Sequence, residues 1–393
     1  MLSGGPETPP IARYQATDFP SPMRRLLSLL VLLLAAALPA RAQVPVATLT
    51  GVVTDASTGE PLPGANVFIA QSMAGTITDR NGRFTITGVP MGALRLYVSF
   101  VGFEAQSRDL LLREPRAYTF EFAMQPSAEI AGEAVVEAER DDKWQERYER
   151  FVAQFIGETP NAALTTIENP YVMSFEGSKL GTLEAQASEP LIIENRALGY
   201  RVKYFLTSFR ATQTRTSYDG EPLYEELTPA NQEEADLWAA NRRSAFIGSF
   251  RHFLLAGLAG RLEGQGFKTY WRNAEQGATD RIGSRRQEFD PSDLLADGEV
   301  PNEHILDTDD GFIEIIFAGE VEDPAYRDWW SAAGDGRITV KRDRFQTSWI
   351  RTENGPAIVD QKGDTGTPGV TLSGYLAFER VADAVPKEYR PGR

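Results

Sequence analysis

The 393-residue sequence contains no cysteine and only two histidines, and these scarcities exclude several kinds of chemistry. Without cysteine there can be no disulfide bond, no thiolate nucleophile and no lipid-modified cysteine. A histidine-ligated catalytic zinc is not expected, because His252 and His304 stand far apart and neither lies in an H-x-x-E or H-E-x-x-H pattern. Ser249 precedes His252 by one helical turn, but a serine hydrolase would also need a G-x-S-x-G motif, which is absent.

Positive charge is scarce as well, since 40 Lys and Arg stand against 55 Asp and Glu, for a formal net charge of −15. This balance disfavours nucleic-acid backbones and anionic lipid surfaces as partners. The negative charge is first explained by solubility, with cationic partners or metal ions as the alternatives. After residue 42 there is no apolar run of about 18 residues, so no membrane-spanning segment is expected in the mature chain.

The start of the sequence has the pattern of an export signal. A basic stretch at Met23-Arg24-Arg25 is followed by an apolar core from Leu26 to Leu38 and an A-x-A cleavage site that ends at Ala42. We therefore interpret residues 1–22 as a mis-assigned upstream extension and residues 23–42 as a signal peptide. The mature chain would begin at Gln43 and reside in the periplasm, on the outer-membrane surface or outside the cell.

Between Thr48 and Phe103, short segments with period-2 alternation are separated by clusters of Gly, Pro, Asn and Asp. This pattern is typical of a small antiparallel β-sandwich, whose apolar rows face each other across the core. Two such rows are Leu94, Leu96, Val98 and Phe100, and Phe120, Phe122 and Met124.

The motifs of this stretch resemble the carboxypeptidase-regulatory-like domain. They are G-x-V-x-D-x-x-T-G-E-P-L-P-G-A-N-V, then T-D-x-N-G-x-F, V-P-x-G and V-S-F-V-G-F, within Ala47 to Pro126. The resemblance implies a transthyretin-like (prealbumin-like) β-sandwich over residues 43–126. It also implies an exported protein of the bacteroidete type, in which this module often precedes TonB-dependent transporters.

A linker over residues 127–143 leads into a second region, residues 144–390, for which the sequence predicts a strand-dominated α+β fold. The region begins with an amphipathic helix, because Trp144, Tyr148, Phe151 and Phe155 recur at helical spacing. One long helix is expected from Pro229 to Glu263, and a polar loop over residues 272–304. Within Trp144 to about Trp271 lie the motifs FIGETPNA, IENPYVMSF, EPLIIENRALGYRVKY and NRRSAFIGSFRHFL. Together with a looser match at Gly374–Tyr389, they resemble exported proteins that carry this module and have no assigned activity.

A calcium site is the one metal site that the sequence suggests. Asp307, Asp309 and Asp310 place three carboxylates before Gly311, and Glu314 could supply a further oxygen. The spacing matches no complete EF-hand, so a solvated turn remains the alternative. No other cofactor is expected.

Three further motifs have a structural as well as a functional interpretation. Asp364-Thr365-Gly366 matches the aspartic-protease triplet but has no second copy, so a flexible hairpin loop is expected. The Asp79–Gly82 stretch favours a hairpin turn over a ligand site. The pair Trp329-Trp330 offers aromatic faces for sugar rings, although at least one of the two is expected in the core.

These observations predict an exported, non-enzymatic accessory or binding protein of the cell envelope, in which the sandwich is a docking or spacer module. Its partner would be a cell-envelope protein or a glycan. The alternative is an orphan hydrolase acting on glycans or peptides, which would need two carboxylates about 5–10 Å apart.

The export signal makes a direct prediction. Expression in a bacteroidete-type host, followed by N-terminal sequencing of the envelope fraction, should yield a chain that begins at Gln43. Leu30→Arg interrupts the apolar core and should leave the precursor in the cytoplasm, whereas Thr17→Arg, upstream of Met23, should not. Normal export of the Leu30→Arg variant would contradict the assignment.

Overall fold

The computed structural model describes residues 45–127, 142–178, 181–213, 215–275, 278–298, 303–333, 344–352, 355–365 and 369–392. The predicted signal peptide and almost all of the predicted linker lie outside the described residues. Pro45–Arg393 forms one compact unit, which contains both the sandwich and the second region. No helix among the described residues combines the length and the apolar character needed to cross a membrane.

The N-terminal module is the expected two-sheet β-sandwich. Its strands are β1 (Val46–Asp55), β2 (Asn66–Ile69), β3 (Gly75–Ile77), β4 (Arg83–Pro90), β5 (Gly92–Ser99), β6 (Gln106–Leu112) and β7 (Ala117–Met124). One sheet has the order β4-β1-β7 and the other β3-β2-β5-β6, and β1 and β7 run parallel. Alternate apolar residues such as Leu49, Phe84, Leu96 and Phe122 fill the space between the sheets.

The second region is strand-dominated with helices, as the sequence predicts, and its first half is a six-stranded sheet under one helix. Helix α1 (Asp142–Phe155) precedes β8 (Thr165–Ile167), β9 (Met173–Gly177), β10 (Leu183–Ala187), β11 (Leu191–Asn195), β12 (Tyr200–Ala211) and β13 (Thr216–Glu226). The sheet order is β8-β11-β12-β10-β9, with β13 paired to β12. The apolar stripe of α1 packs on the sheet through Phe151 and Phe155, which contact Phe209 edge-on.

The expectation of one long helix from Pro229 to Glu263 is wrong. The chain forms α2 (Gln232–Phe246) and α3 (Phe250–Leu258), separated by a break at residues 247–249. Gly248 has a φ of 85° there, and a Cβ atom at this position would lie 2.6 Å from Oε1 of Gln346. Ser249 then caps α3, because its hydroxyl accepts a hydrogen bond from the backbone N–H of His252.

The second half of the region is built on two further sheets. Its strands are β14 (Phe267–Glu275), β15 (Ala278–Gln287), β16 (Leu295–Asp297), β17 (Glu303–Leu306), β18 (Phe312–Val321), β19 (Phe345–Thr352), β20 (Ala357–Asp360) and β21 (Val370–Gly374). One sheet has the order β15-β14-β18-β19-β21 and the other β16-β17-β20. Helices α4 (Pro324–Ala333) and α5 (Tyr375–Phe378) complete the region.

The polar loop expected at residues 272–304 is also wrong, because β14 and β15 form a hairpin in that part of the chain. The local sequence is rich in Arg, Gly and Ser, which masks the strand pattern. The hairpin is held through its neighbour β18, whose buried Glu314 accepts hydrogen bonds from Arg272 and Arg286. A long-range ion cluster of this kind leaves no local periodicity in the sequence.

Candidate functional site

The turn between β2 and β3 joins the sandwich to the second region through backbone hydrogen bonds. The N–H of Gln71 donates to the carbonyl of Pro222 at 2.9 Å, and the N–H of Tyr224 donates to the carbonyl of Ser72 at 2.9 Å. The N–H of Lys387, in the C-terminal tail, donates to the carbonyl of Gln71 at 2.8 Å. Gln71 adopts a φ of 59°, which a residue other than glycine holds only when its surroundings fix it.

An aromatic cluster is buried at the same junction between the sandwich and the second region. Phe68 of β2 stacks on Phe205 of β12 with ring centroids 4.7 Å apart, and Tyr97 of β5 lies 5.8 Å from Phe205. Phe68 is fully buried and Phe205 is 5% exposed. Because such aromatic side chains each contribute several kcal/mol when buried, the sandwich cannot separate from the second region without a large loss of stability.

Next to this cluster, Lys387, which is buried, forms an ion pair with Asp364, whose side chain is 20% exposed. Nζ of Lys387 lies 2.5 Å from Oδ2 of Asp364, and Nε2 of Gln71 donates to the same oxygen at 3.2 Å. Burial alone would raise the pKa of Asp364, but Lys387 and Gln71 hold this pKa below its ordinary value. The carboxylate of Asp360 fixes the turn, since it accepts from the backbone N–H groups of Lys362 and Asp364.

A second ion pair crosses the junction. The guanidinium of Arg95 on β5 donates to Asp109 at 2.8 Å and to Glu221 of β13 at 3.1 Å. Glu221 is 7% exposed. Burial raises the pKa of Glu221, and the hydrogen bond from Arg95 opposes that rise.

Arg251 of α3 fixes the C-terminal tail against the rest of the region. Its guanidinium donates to the carbonyls of Lys362, Pro386 and Lys387, so a single side chain aligns both partners of the first ion pair. Burial lowers the pKa of Arg251 to about 10, with a further contribution from the positive charge of Arg390. Burial therefore destabilises the charged form of the guanidinium. A structural role is consistent with this, because the role requires one side chain that donates several hydrogen bonds.

A cleft of about 340 Å³ lies between β5 and β6 of the sandwich and the second region, with these ion pairs in its walls. We call it the junction cleft. Five acidic residues line it (Asp109, Glu221, Glu303, Asp360 and Asp364) but only two basic residues (Arg95 and Lys387). Leucines from β5 and β6 and Ile358 of β20 supply apolar surface. The volume and the mixed lining are those of a ligand site for an apolar group that carries positive charge.

Glu303 is the lining carboxylate that the local cations do not neutralise. It lies on β17, half-buried, and no hydrogen bond or ion pair joins its carboxylate to another residue in the part of the chain that the structure describes. By contrast, Asp109 and Glu221 are paired with Arg95, and Asp364 is paired with Lys387. Glu303 is therefore the group in this cleft that is available to a cationic ligand.

The structure gives Asp364 a different role from the expected flexible loop. The side chain is an anchor of the junction, while Gly366 lies outside the described residues. Sequence reasoning missed Gln71, Lys387 and Glu303 altogether, because each is a single polar residue whose partners are remote in sequence. The only local signal was the Asp-rich turn that contains Asp360.

The predicted calcium ligands are placed in a turn before β18. Asp307 accepts a hydrogen bond from the N–H of Asp309 at 2.9 Å, and Glu314 is bound by Arg272 and Arg286 instead of facing the aspartates. Across the described ranges, no group of three or more His, Asp or Glu side chains is arranged to hold a metal ion. Calcium binding by Asp307, Asp309 and Asp310 stays a prediction.

Ser249 and His252 do not form a catalytic pair. The ring of His252 is buried, accepts from the N–H of Gly248 at Nδ1, and lies 3.2 Å from Oε1 of Gln265 at Nε2. The hydroxyl of Ser249 donates to the carbonyl of Phe246. Burial lowers the pKa of His252, so the ring is neutral and serves the packing of α3.

The two remaining motifs lie in a turn and on a helix. Asp79 accepts hydrogen bonds from the N–H groups of Asn81 and Arg83, which confirms the predicted hairpin turn. Trp329 and Trp330 lie on α4, not on a strand, and both are half-buried beside Tyr326.

The first region is a CarboxypepD_reg-like domain, whose family model matches residues 49–136. This confirms the resemblance inferred from the motifs. The TonB-dependent receptor P39 of Formosa agariphila is 34% identical over 84 residues, which are 21% of this chain and 8% of the receptor. The chain thus spans less than a tenth of that relative's length.

Solved structures resemble about a fifth of the chain. The 5-hydroxyisourate hydrolase of Klebsiella pneumoniae is 21% identical over 21% of this chain and 93% of that chain, with a TM-score of 0.18. The 3-chlorocatechol 1,2-dioxygenase of Rhodococcus opacus 1CP is 13% identical over 22% of this chain and 62% of that chain, with a TM-score of 0.19. Likenesses at this level do not bear on activity.

Removal of one partner of the Asp364–Lys387 pair should destabilise the protein. Lys387→Met leaves the carboxylates of Asp364 and Asp360 without their cation and should lower the free energy of unfolding by up to about 3–5 kcal/mol at pH 7. Because the pair holds the pKa of Asp364 below 3.8, its contribution is present above that pH and is lost as the pH falls through the folded-state pKa. The difference between variant and wild type should therefore shrink at acidic pH in urea unfolding experiments.

Two further variants complete the test. Asp364→Asn combined with Lys387→Met should recover part of the loss, since Asp364 no longer carries an uncompensated charge, although Asp360, 3.8 Å from Nζ of Lys387, still loses its cation. Lys268→Met, at an exposed lysine, should change the stability by no more than about 0.5 kcal/mol. A Lys387→Met variant as stable as wild type would show that the pair does not support the junction.

Proposed function

We propose that the protein is an exported, non-enzymatic binding protein of the cell envelope. In this proposal the CarboxypepD_reg-like sandwich is docked permanently on the second region, and the junction cleft binds a basic, apolar segment of an envelope protein. The observation that carries the proposal is the uncompensated carboxylate of Glu303 in a cleft with apolar walls. The likeness of residues 49–136 to part of a TonB-dependent receptor supports the envelope setting.

Binding suits this cleft better than hydrolysis. A carboxylate-based hydrolase needs one carboxyl group that can donate a proton and a second that acts as base or nucleophile. Here Asp109, Glu221 and Asp364 are each engaged in an ion pair with arginine or lysine, which occupies their oxygens. The hydrolase remains the alternative, and turnover of peptide or glycan by the purified protein would support it.

The docked arrangement also suits a binding site physically. The cleft walls come from two regions whose relative position is fixed by buried backbone hydrogen bonds and ion pairs. A site that is already formed costs little ordering entropy when a ligand binds, so modest contacts suffice for affinity.

The proposal is tested with residues 43–393 and two fluorescein-labelled hexapeptides, alternating Leu with Lys or Leu with Glu. Fluorescence anisotropy should show saturable binding of the Lys peptide only. Glu303→Gln should weaken that binding at least fivefold, because the available charge is lost, whereas Glu225→Gln, at an exposed site on β13, should not. Equal binding of both peptides, or an unchanged affinity of Glu303→Gln, would refute the proposal.

A further inference from the structure

A second cavity, of about 430 Å³, is lined by residues of the second region and by none of the sandwich. Its walls come from α1, the connection between β12 and β13, the end of α4, β21 and the chain after α5. We call it the arginine cavity, because Arg150, Arg215 and Arg380 line it against the two acidic residues Glu158 and Glu379. In a chain with a net charge of −15, a cavity with this positive balance is an exception.

The three arginines are not equivalent. The guanidinium of Arg150 donates to the carbonyls of Ser178, Gly181, Ala211 and Thr212, so it holds the surrounding loops. Arg215 donates to the hydroxyl of Thr371. No acceptor within the described ranges takes a hydrogen bond from the guanidinium of Arg380, which makes Arg380 the cation available to a ligand.

The two carboxyl groups of the arginine cavity do not neutralise all of its arginines. No donor in the described chain reaches the side chain of Glu379. Burial raises the pKa of Glu379 well above its ordinary value, and the nearby charges of Asp383 and Glu320 raise it further. The raised pKa favours the uncharged form of Glu379. Burial also raises the pKa of Glu158, and the charge of Arg380 opposes that rise, so Glu158 is the carboxylate that interacts with Arg380.

An aromatic surface completes the lining. Trp329 of α4 is half-buried, with its ring centroid 5.8 Å from Tyr326 and 5.6 Å from Phe378. Such packing fixes the indole ring before any ligand arrives. Around it, Thr216, Ser217 and Thr371 supply hydroxyl groups. A rigid aromatic face beside hydroxyl and guanidinium groups suits a ring with an apolar face and a polar edge.

We propose that the arginine cavity is a carbohydrate site for an acidic saccharide, in which the guanidinium of Arg380 pairs with a sugar carboxylate and Trp329 contacts the ring. A planar carboxylate matches the two-pronged donor geometry of one arginine. A phosphate ester carries more charge and would meet repulsion from Glu158, so the carboxylate is the better match. This site is independent of the junction cleft, and either proposal can fail without the other.

The test is isothermal titration calorimetry of residues 43–393 with trigalacturonic acid and triglucuronic acid, each beside its fully methyl-esterified form as a neutral probe of the same rings. At least one acid should bind, and its methyl ester should bind at least tenfold more weakly. Arg380→Gln should weaken binding of the acid about tenfold or more, because its carboxylate loses a charged donor. Glu158→Gln should tighten binding two- to fivefold, because a repelling charge is removed.

Arg83→Gln is the matched control, since this exposed arginine of β4 changes the net charge equally but lies in the sandwich. It should bind the acid as wild type does, and thermal unfolding of every variant verifies that the fold is intact. The proposal is overturned if the acid and its ester bind equally, if Arg380→Gln binds like wild type, or if neither acid binds at 5 mM.

Discussion

The ion pair between Lys387 and Asp364 is the interaction on which the arrangement of the molecule depends. It lies where the sandwich turn, the loop after β20 and the C-terminal tail meet, and Gln71 donates to the same carboxylate oxygen. Each of the three segments is irregular, so none is stabilised by a sheet or helix of its own. A buried charge that needs its partner holds the segments together, since separation would leave both ions desolvated.

The C-terminal tail extends this constraint through the second region. The N–H of Ala382 donates to the carbonyl of Ile156 after α1, and the carbonyl of Ala382 accepts from the side chain of Asn195 on β11. A few residues later the tail reaches the sandwich turn at Lys387. The C-terminal tail therefore contacts both halves of the second region and the sandwich. These contacts also hold the walls of the junction cleft in place.

The sandwich could be predicted well from the sequence, and the second region less well, for a physical reason. Alternation along β1, β4, β5 and β7 and the turn at Asp79 are local signals, so the sandwich fold could be predicted from the residues alone. The break at Gly248 could not be predicted, because it depends on the remote side chains of Phe317 and Gln346. The pairing of Arg272 and Arg286 with Glu314 likewise joins distant parts of the chain, and it turns a polar stretch into a hairpin.

The candidate functional residues could not be predicted from the sequence for the same reason, because their surroundings come from remote parts of the chain. Sequence motifs directed attention to Asp307, Ser249 and Asp364, whereas the available groups are Glu303 and Arg380, which belong to no motif. Each of these two side chains lies in the wall of a cavity and has no hydrogen-bond or ion-pair partner among the described residues. The sequence does not show this property, because it arises only when the chain folds. Charge balance was the one informative signal, because an acidic chain makes a cationic ligand reasonable for the junction cleft and makes the arginine cavity stand out.

Hydrogen exchange at the junction tests most directly whether the sandwich and the second region form one unit. The decisive amides are those of Gln71, Tyr224 and Lys387, whose hydrogen bonds cross the junction. The account predicts that they exchange with the same free energy of opening as the amide of Val202 in the middle of β12, as expected of one cooperative unit. Rapid exchange of these three amides while Val202 stays protected would show two independent bodies and would contradict it.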